Sequence, residues 1–557
     1  MSMSMSMPPN MNATTAPAVD GTLLIEVANR WPVAATALFA CVVAYLLQTV
    51  LKSDPWASIP LVGAEIGGQE SRRKKFMNGE ARSMYLEGYK KFKEQAFRIT
   101  TARKSQNIVV APKFMDELKR LPDDVLSFNR AIEESMHAKY TGADTDIDML
   151  PHTVRTALTP ALVRLNPIIS DEVVEAMRSE LPQSGEWTEV NIMEKLRRVV
   201  AMASGRVFIG PELCRNEDYL DAAINYTVDL MKAIHKVADI PPYMRPFLAP
   251  RTPEVKRVRE RIVEADRFLR PVVKARREAA QDPDYQKPDD MLQWIMESQK
   301  KFGQRDDSEL ARYQLGISFA AIHTTTTTVT NALYTLAAMP ELVPVLREDV
   351  QHALAETNGV FTSSAMQNMK KVDSFLKETM RYYSMGPTSF QRKVLKTFTL
   401  SNGQVIPAGS VIELPAIGIN TDDDFFPDAK SFDALRFYKM RQAKTEQETG
   451  SRQAEVVANA QFVSVGQSSL TFGYGRHACP GRFFAVNEIK MIMATLLANY
   501  DLMNLGGSRE RYPNLEAGST VSRGVWIEDF RDNVVLLADL VLQTFPDPDR
   551  KVLLRKL

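Results

Sequence analysis

A single cysteine lies in a loop whose composition suits a sulfur ligand. Residues 471–485 read TFGYGRHACPGRFFA, in which Cys479 stands among Gly473, Gly475 and Gly481. A thiolate that binds a metal without a second protein ligand needs backbone amides near its sulfur, and glycines permit such a tight backbone and a close approach by a flat ligand. The apolar residues that follow recur with helical spacing, so we expect Cys479 at the start of a helix, where the dipole favours ionised sulfur. This context favours a metal-binding thiolate over the small buried residue that a lone cysteine usually is.

A run of five threonines interrupts a long apolar segment. Residues 311–339 predict a helix that crosses the core, and residues 324–328 within it are all threonine. Threonine is a poor helix former because of its β-branch, and a local violation of this kind often marks a working site. Its hydroxyl can bond the carbonyl four residues back and open a groove in the helix. His323, just before the run, is either a proton-transfer group or a histidine that is only hydrogen-bonded.

The cysteine loop resembles that of the cytochrome P450 family. Residues 472–481 match the spacing F-x-x-G-x-[H/R]-x-C-x-G, the signature around the haem-ligating cysteine of that family. The resemblance implies that Cys479 is the axial thiolate of haem b and favours O–O cleavage. It also implies that His477 holds a haem propionate and that Phe472 packs beside the sulfur, with Gly473 and Gly481 close to the porphyrin.

The threonine run resembles the oxygen-activation motif of the same family, A-G-x-[D/E]-T-[T/S]. The alignment with residues 320–325 implies that Thr324 is the hydroxyl that helps deliver protons to dioxygen, with Thr325 beside it. Ala321 stands where glycine is usual and His323 where an acid is usual. The customary carboxylate relay is therefore in doubt, and imidazole is the group that could replace it.

Other site residues follow from the resemblance. Glu378 and Arg381 are three residues apart on one predicted helical face, a spacing that usually gives surface pairs. Here Arg436 is expected to join them in a buried triad that locks the cysteine loop, while Arg392 binds the second propionate. Arg155 either reaches a propionate or is an exposed cation. The second alternative stays open because the tryptophan usually found near this arginine in the family is missing. The implied substrate pocket includes Phe319, Ala320, Met385 and Thr388.

Composition excludes some classes of protein. The 557 residues are 45% hydrophobic and 25% charged, with a net charge of +1, which gives no electrostatic case for a nucleic-acid partner. Three cysteines at wide spacing form neither a disulfide framework nor a zinc pattern. We therefore expect a globular protein whose bulk faces the cytosol.

The N-terminal part of the chain predicts a membrane anchor. Residues 1–30 are a polar lead expected to be disordered and lumenal, and residues 31–51 contain no charge and would span roughly 30 Å as a helix. Basic residues follow the span, which favours a cytosolic body on the endoplasmic reticulum membrane. A proline-containing hinge, residues 52–66, leads to the catalytic domain, residues 67–557. A cleaved signal peptide and a buried core helix are the alternatives.

The resemblance implies a mainly α cytochrome P450 fold with small β-sheets, preceded by a single transmembrane helix. It implies a monooxygenase that oxidises a bulky, terpenoid-like fungal secondary metabolite, with electrons from NADPH through a separate reductase and with cytochrome b5 as a second possible donor. Lys370, Lys371 and Lys377 are candidate contacts for an acidic reductase. The alternatives are a haem-thiolate isomerase, a peroxide-driven enzyme, and a non-catalytic membrane protein that binds haem or lipid.

Overall fold

The computed structural model describes residues 31, 33, 35–44, 56, 58–102, 105–143, 148–303, 306–443, 456–516 and 544–557. The chain divides into two units, residues 1–57 and residues 58–557. In the first unit, residues 31, 33 and 35–44 are helical, whereas residues 1–30 of the expected lead and residues 45–51 of the expected anchor lie outside the described part. No helix within the described ranges is both long enough and apolar enough to cross a bilayer. The anchor stays a prediction.

The second unit is built mainly of helices. Its longer helices are α1 (Ala81–Lys91), α2 (Phe128–Met136), α3 (Thr159–Glu180), α4 (Ile192–Phe208), α5 (Glu217–Asp239), α6 (Pro253–Ala279), α7 (Met291–Ser298), α8 (Ser308–Ala338), α9 (Leu342–Ala355), α10 (Lys370–Tyr382) and α11 (Arg482–Asn499). Shorter helices are Gln69–Lys75, Met115–Leu118, Ala138–Thr141, Met149–Thr153, Arg245–Leu248, Ser363–Asn368, Ala416–Asn420 and Arg436–Gln442. Single turns of π-helix lie at Phe76–Glu80 and Val154–Leu158, and 3₁₀ turns at Ala64–Ile66, Pro112–Phe114, Ala249–Arg251, Gly475–His477 and Leu505–Gly507.

The strands form small sheets. They are β1 (Phe97–Thr100), β2 (Gln106–Val109), β3 (Leu126–Ser127), β4 (Thr188–Val190), β5 (Ser389–Val394), β6 (Phe398–Thr399), β7 (Val405–Ile406), β8 (Val411–Leu414), β9 (Tyr500–Asn504), β10 (Asn514–Glu516), β11 (Thr544–Pro546) and β12 (Val552–Lys556). The largest sheet has the order β1-β2-β8-β5-β3, in which only β2 and β8 are parallel. A second sheet has the order β4-β12-β9 and ties a C-terminal strand to two earlier ones.

Helix α8 forms the centre of the core. It packs against α4, α5, α6 and α11, and most of its residues from Leu310 onward are buried. The sequence prediction of one core-crossing helix over residues 311–339 is confirmed, as is the helix that follows Cys479. The threonines remain helical because tertiary packing offsets their weak intrinsic propensity. The mainly α fold with small sheets is likewise confirmed.

Candidate active site

The cysteine loop brings backbone amides to the Cys479 sulfur. The Cys479 amide donates to the Phe472 carbonyl at 2.8 Å, which closes the loop. The amides of Gly481 and Arg482, at the start of α11, lie beside the sulfur and favour its ionised form. Gly473 has a φ of 75°, a left-handed conformation that glycine adopts without the steric cost of a side chain. The loop therefore has the amide-lined form that its glycines predicted.

Burial raises the pKa of the Cys479 thiol, and the two amides and the nearby Arg482 guanidinium only partly oppose this. An anionic sulfur at this position consequently needs a cation directly beside it, as a metal ion provides. The described ranges hold no cluster of His, Cys, Asp or Glu that could bind a metal. Of the other cysteines, Cys214 is buried and has a pKa raised to about 11 by burial, so it is not a reactive thiol.

Arg392 and His477 pack against one aromatic ring beside the loop. The His477 ring stacks on the Phe128 ring with the two centroids 5.4 Å apart, and the Arg392 guanidinium lies 5.0 Å from the Phe128 centroid. The His477 Nε2 lies 2.9 Å from Oδ1 of Asp123. The sequence analysis missed both Phe128, the first residue of α2, and Asp123, because no motif marks either residue.

Arg392 is a buried cation that lacks a carboxylate partner within ion-pair distance among the described residues. Only 4% of the residue is exposed, and its Nη1 donates to the Gln391 carbonyl at 2.8 Å. Burial lowers the pKa of Arg392 to about 10, although Asp123 acts in the opposite direction. A further anion at this position would offset the cost of burying the charge.

Arg155 also lies at the cysteine loop. It is exposed on the π turn Val154–Leu158, and its Nη2 lies 3.5 Å from the Arg476 carbonyl oxygen. Three of the predicted cationic residues, Arg155, Arg392 and His477, are thus placed around the same loop. Their predicted contacts with propionates are not tested by these positions and stay predictions.

Two residues of α8 face open space within an otherwise buried helix. Ala320 and Thr324, one turn apart, are exposed, whereas Thr325 is only 1% exposed. The Thr324 Oγ1 donates to the Ala320 carbonyl at 2.8 Å, which confirms the predicted bond to the carbonyl four residues back. Within the threonine run, Thr324 therefore lies on an open face of the helix and Thr325 lies in the buried core.

His323 is directed to a neighbouring helix. Its Nε2 lies 3.0 Å from the carbonyl oxygen of Ile224 on α5. Burial lowers the pKa of His323 to about 4, so the ring is neutral at pH 7. The geometry favours the alternative of a hydrogen-bonded packing histidine over a proton donor, because a ring with this pKa binds no proton at neutral pH.

Glu378, Arg381 and Arg436 form a buried triad. The Glu378 carboxylate accepts bonds from Nε and Nη2 of Arg381, each at 2.7 Å, and from Nε of Arg436 at 3.2 Å. It also accepts from the Asp433 amide at 3.0 Å, and Glu378 is completely buried. The structure therefore brings together the three residues that the resemblance grouped.

The residues of the predicted substrate pocket come from two segments of the chain. Phe319 and Ala320 lie on α8, whereas Met385 and Thr388 lie between α10 and β5, where the Met385 carbonyl accepts from the Thr544 amide at 2.7 Å. Only Thr388 of these four lines a cavity of about 1210 Å³, whose walls include β8, α2 and residues 238–245. That cavity contains none of the residues of the cysteine loop or the threonine run.

Lys377 is not a surface contact for a partner. Its residue is 6% exposed, and its Nζ donates to the carbonyls of Asn459 and Gln461 at 2.7 and 2.8 Å. The expectation that Lys377 contacts a reductase was wrong, because helical spacing alone did not show which face of α10 is buried. Lys370 is exposed and Lys371 half-buried, so both remain candidates.

These residues fit a haem. The donor set combines one amide-lined sulfur, a buried guanidinium with no carboxylate partner among the described residues, the Arg155 guanidinium, the His477 ring and an open face on α8. A flat iron complex with two carboxylates would place its metal at the sulfur and its carboxylates at the cations.

Comparison with known proteins gives the same result. The family model for cytochrome P450 matches residues 87–521. The chain is 39% identical over 416 residues, 74% of this chain and 86% of the relative, to cytochrome P450 monooxygenase ATR3 of Stachybotrys chlorohalonatus. It is 33% identical to cytochrome P450 monooxygenase braC of Annulohypoxylon truncatum, over 85% of this chain and 92% of the relative.

A solved structure shows the same fold. The retinoic acid-bound cyanobacterial CYP120A1 superposes with a TM-score of 0.60 at 18% identity, and the match covers 87% of this chain and 96% of that chain. The cysteine loop, the buried triad and the two sequence matches together show that the chain belongs to the cytochrome P450 family.

Proposed function

We propose that this enzyme is a haem-thiolate monooxygenase that inserts one atom of dioxygen into a bulky apolar substrate, with electrons from NADPH supplied by a separate reductase. The observation that carries the proposal is the placement of Thr324, which is exposed together with Ala320 on one face of α8 while most of that helix is buried. Cytochrome P450 relatives that are named monooxygenases support it.

The bound haem would supply the activation of dioxygen. The chain would hold it through Cys479 at the iron and through Arg155, Arg392 and His477 at the propionates. Thr324 Oγ1 donates its hydrogen to the Ala320 carbonyl, so its lone pairs remain able to accept a hydrogen bond from a water molecule on the open face of α8 and to hold that water for proton transfer.

The proposed substrate is an apolar, terpenoid-like secondary metabolite. Phe319 and Ala320 offer apolar surface on α8, and Met385 offers it on the segment after α10, a helix that packs against α8. The relatives include fungal monooxygenases such as penP of Penicillium crustosum and paxP of Penicillium paxilli. An apolar lining with few polar groups suits a substrate that is bound mainly by burial of its surface.

The test uses the full chain, loaded with haem, in membranes that contain an NADPH-dependent reductase. We expect candidate terpenoids to increase NADPH consumption and to yield a product that carries one atom from labelled dioxygen. Product that forms equally well without NADPH would instead identify an isomerase. Product that requires added peroxide would identify a peroxide-driven enzyme, and the absence of any turnover with haem bound would favour a carrier.

We also propose that residues 31–51 anchor the enzyme in the endoplasmic reticulum membrane, with the catalytic domain in the cytosol. The absence of charge over these residues and the basic residues that follow support this placement. Removal of residues 1–51 should release the protein from membranes in alkaline carbonate, whereas the full chain should stay in the pellet. Equal release of both proteins would contradict the anchor.

A further inference from the structure

One residue of β5 has a backbone conformation that its residue type rarely adopts. Phe390 has a φ of 59°, in the left-handed region. The other residues besides glycine with a positive φ in the described ranges are His137, Asn358 and Asp428, three types that are enriched in this region. A phenylalanine is strained there because its Cβ comes too close to the following carbonyl oxygen. Strain of this kind persists only where surrounding contacts hold the residue, and it often marks a functional position.

The strained residue lies at a bulge in the pairing of β5 with β8. Ser389 lies opposite Leu414. Three positions further along β5, Arg392 lies opposite Ile412, which is only two positions from Leu414. One extra residue of β5 is therefore accommodated between Ser389 and Arg392. In bulges whose first residue is left-handed, that residue is normally glycine, but here Phe390 occupies the place.

The extra residue decides on which face of the sheet Arg392 lies. Successive side chains of a regular strand point to opposite faces, so residues three positions apart lie on opposite faces. Ser389 and Arg392 instead share a face, because each shares a face with its cross-strand partner and these two partners are two positions apart. The bulge thus reverses the side of the sheet on which Arg392 lies.

The two faces of β5 lead to different parts of the molecule. The Ser389 Oγ donates to the Leu470 carbonyl at 3.2 Å, one residue before the cysteine loop, so the face shared by Ser389 and Arg392 is the one toward that loop. Gln391 and Lys393, the neighbours of Arg392 in the chain, line the cavity of about 1210 Å³. A regular strand from Ser389 onward would turn Arg392 toward that cavity and away from the cysteine loop.

The Phe390 side chain is fixed on the loop side as well. Its ring centroid lies 4.1 Å from the Arg392 guanidinium and 6.3 Å from the Tyr474 ring centroid, and only 6% of Phe390 is exposed. A guanidinium is attracted to the face of an aromatic ring, and more strongly where water is excluded. The same residue therefore provides both the unusual backbone and a ring that supports the cation.

We propose that Phe390 is a positioning residue, and that the left-handed bulge at Phe390 places Arg392 on the cysteine-loop face of β5, where its guanidinium is available to a haem propionate. The inference rests on the proposed contact of Arg392 with haem, but it does not require turnover of a substrate.

The test compares Phe390→Leu with Phe390→Ile in the full chain loaded with haem. Both substitutions remove the ring and leave side chains with the same atoms, but isoleucine is branched at Cβ and tolerates a positive φ less well. In a haem-transfer assay we expect Phe390→Ile to lose haem about fivefold faster than Phe390→Leu, because its backbone favours the regular strand. Equal rates would show that only the ring matters and would overturn the proposal.

The same pair is then compared in the Arg392→Met background. The difference between Phe390→Leu and Phe390→Ile should disappear there, because no cation remains to be placed. A difference that persists would show that the bulge supports the fold in general and not Arg392. If Arg392→Met alone leaves the rate of haem loss unchanged, there is no contact to position, and the proposal is overturned as well.

The reduction potential of the bound haem is a second readout, and it is measured only on molecules that keep haem. A cation near a propionate favours the reduced and more negative haem. The potential should therefore be lower in Phe390→Ile than in Phe390→Leu, and equal for the two in the Arg392→Met background. Equal potentials with Arg392 present would overturn the proposal. If the potentials differ as expected but no substrate is ever oxidised, the proposed monooxygenase function fails and the placement of Arg392 stands.

Discussion

Replacement of Glu378 by alanine tests whether the buried triad stabilises the haem-binding fold. The substitution leaves Arg381 and Arg436, 4% and 8% exposed, without their anion. Both guanidiniums keep neutral acceptors, among them the Ser431 carbonyl at 3.1 Å from Arg381 and 2.9 Å from Arg436. The Asp433 amide also loses its acceptor.

The size of the effect follows from these contacts. Removal of one partner from a buried ion pair costs about 3–5 kcal/mol, and an unsatisfied buried amide costs about 1–3 kcal/mol. The sum of about 4–8 kcal/mol is comparable with the whole stability of a typical domain, about 5–15 kcal/mol. We therefore expect Glu378→Ala to lose haem and to unfold at a much lower urea concentration.

The matched control is Glu175→Ala, which removes a carboxylate from an exposed pair of the same spacing. Arg178 donates to Glu175 at 2.9 and 2.6 Å, but the two side chains are 67% and 35% exposed, respectively. Such a pair contributes less than about 1 kcal/mol. The assays are haem absorbance per unit of protein and the midpoint of urea unfolding. The reasoning is refuted if Glu378→Ala has full haem content and the same midpoint as Glu175→Ala.

Three further predictions concern single residues. Gly475→Ala should lower the free energy of unfolding by about 1–2 kcal/mol, because Gly475 has a φ of 73° and an added Cβ would lie 3.3 Å from Lys119. The control Gly185→Ala should change the free energy of unfolding by less than about 0.5 kcal/mol. If urea unfolding shows equal effects for the two substitutions, Gly475 is not at a position where a side chain strains the backbone. Arg392→Met should weaken haem retention about 10- to 100-fold, which corresponds to the loss of a hydrogen bond to a charged group, and it should not destabilise the haem-free protein. A haem-transfer assay measures haem retention. Unchanged retention would exclude the propionate contact. The pKa of Glu488 rises from 4.5 to about 8 on folding, so the unfolded chain releases the Glu488 proton at a lower pH than the folded chain does. The free energy of unfolding should therefore fall by about 3–5 kcal/mol as the pH rises from about 5 to about 8. Urea unfolding of Glu488→Gln should lack this component, and an identical pH slope in both proteins would contradict the assignment.

The sequence predicted the cysteine loop well because the relevant interactions are local. The amides that contact the Cys479 sulfur belong to Gly481 and Arg482, two and three residues away, and they are positioned by the start of α11. The bond from the Thr324 hydroxyl to the Ala320 carbonyl is local in the same sense, since both residues lie on one helix. Interactions of this range depend on a few consecutive backbone angles, which residue types strongly restrict.

The tertiary structure decided the state of groups whose partners are distant in the chain. The sequence left open whether His323 transfers protons or is only hydrogen-bonded, and the approach of α5 buries its ring and lowers its pKa to about 4. Lys377 was expected on the surface and is instead held by carbonyls more than 80 residues away. Helical spacing shows which residues share a face, but not whether another element covers that face.

The amide-lined form of the Cys479 loop, the helix that carries the threonine run and the family of the enzyme were therefore predictable from the sequence itself. Which charges are buried, which hydroxyl faces open space and whether Glu488 holds a proton were decided only when the helices packed. The physical reason is that hydrogen bonds between neighbours in the chain depend on local backbone geometry, whereas desolvation depends on everything that surrounds a group in three dimensions.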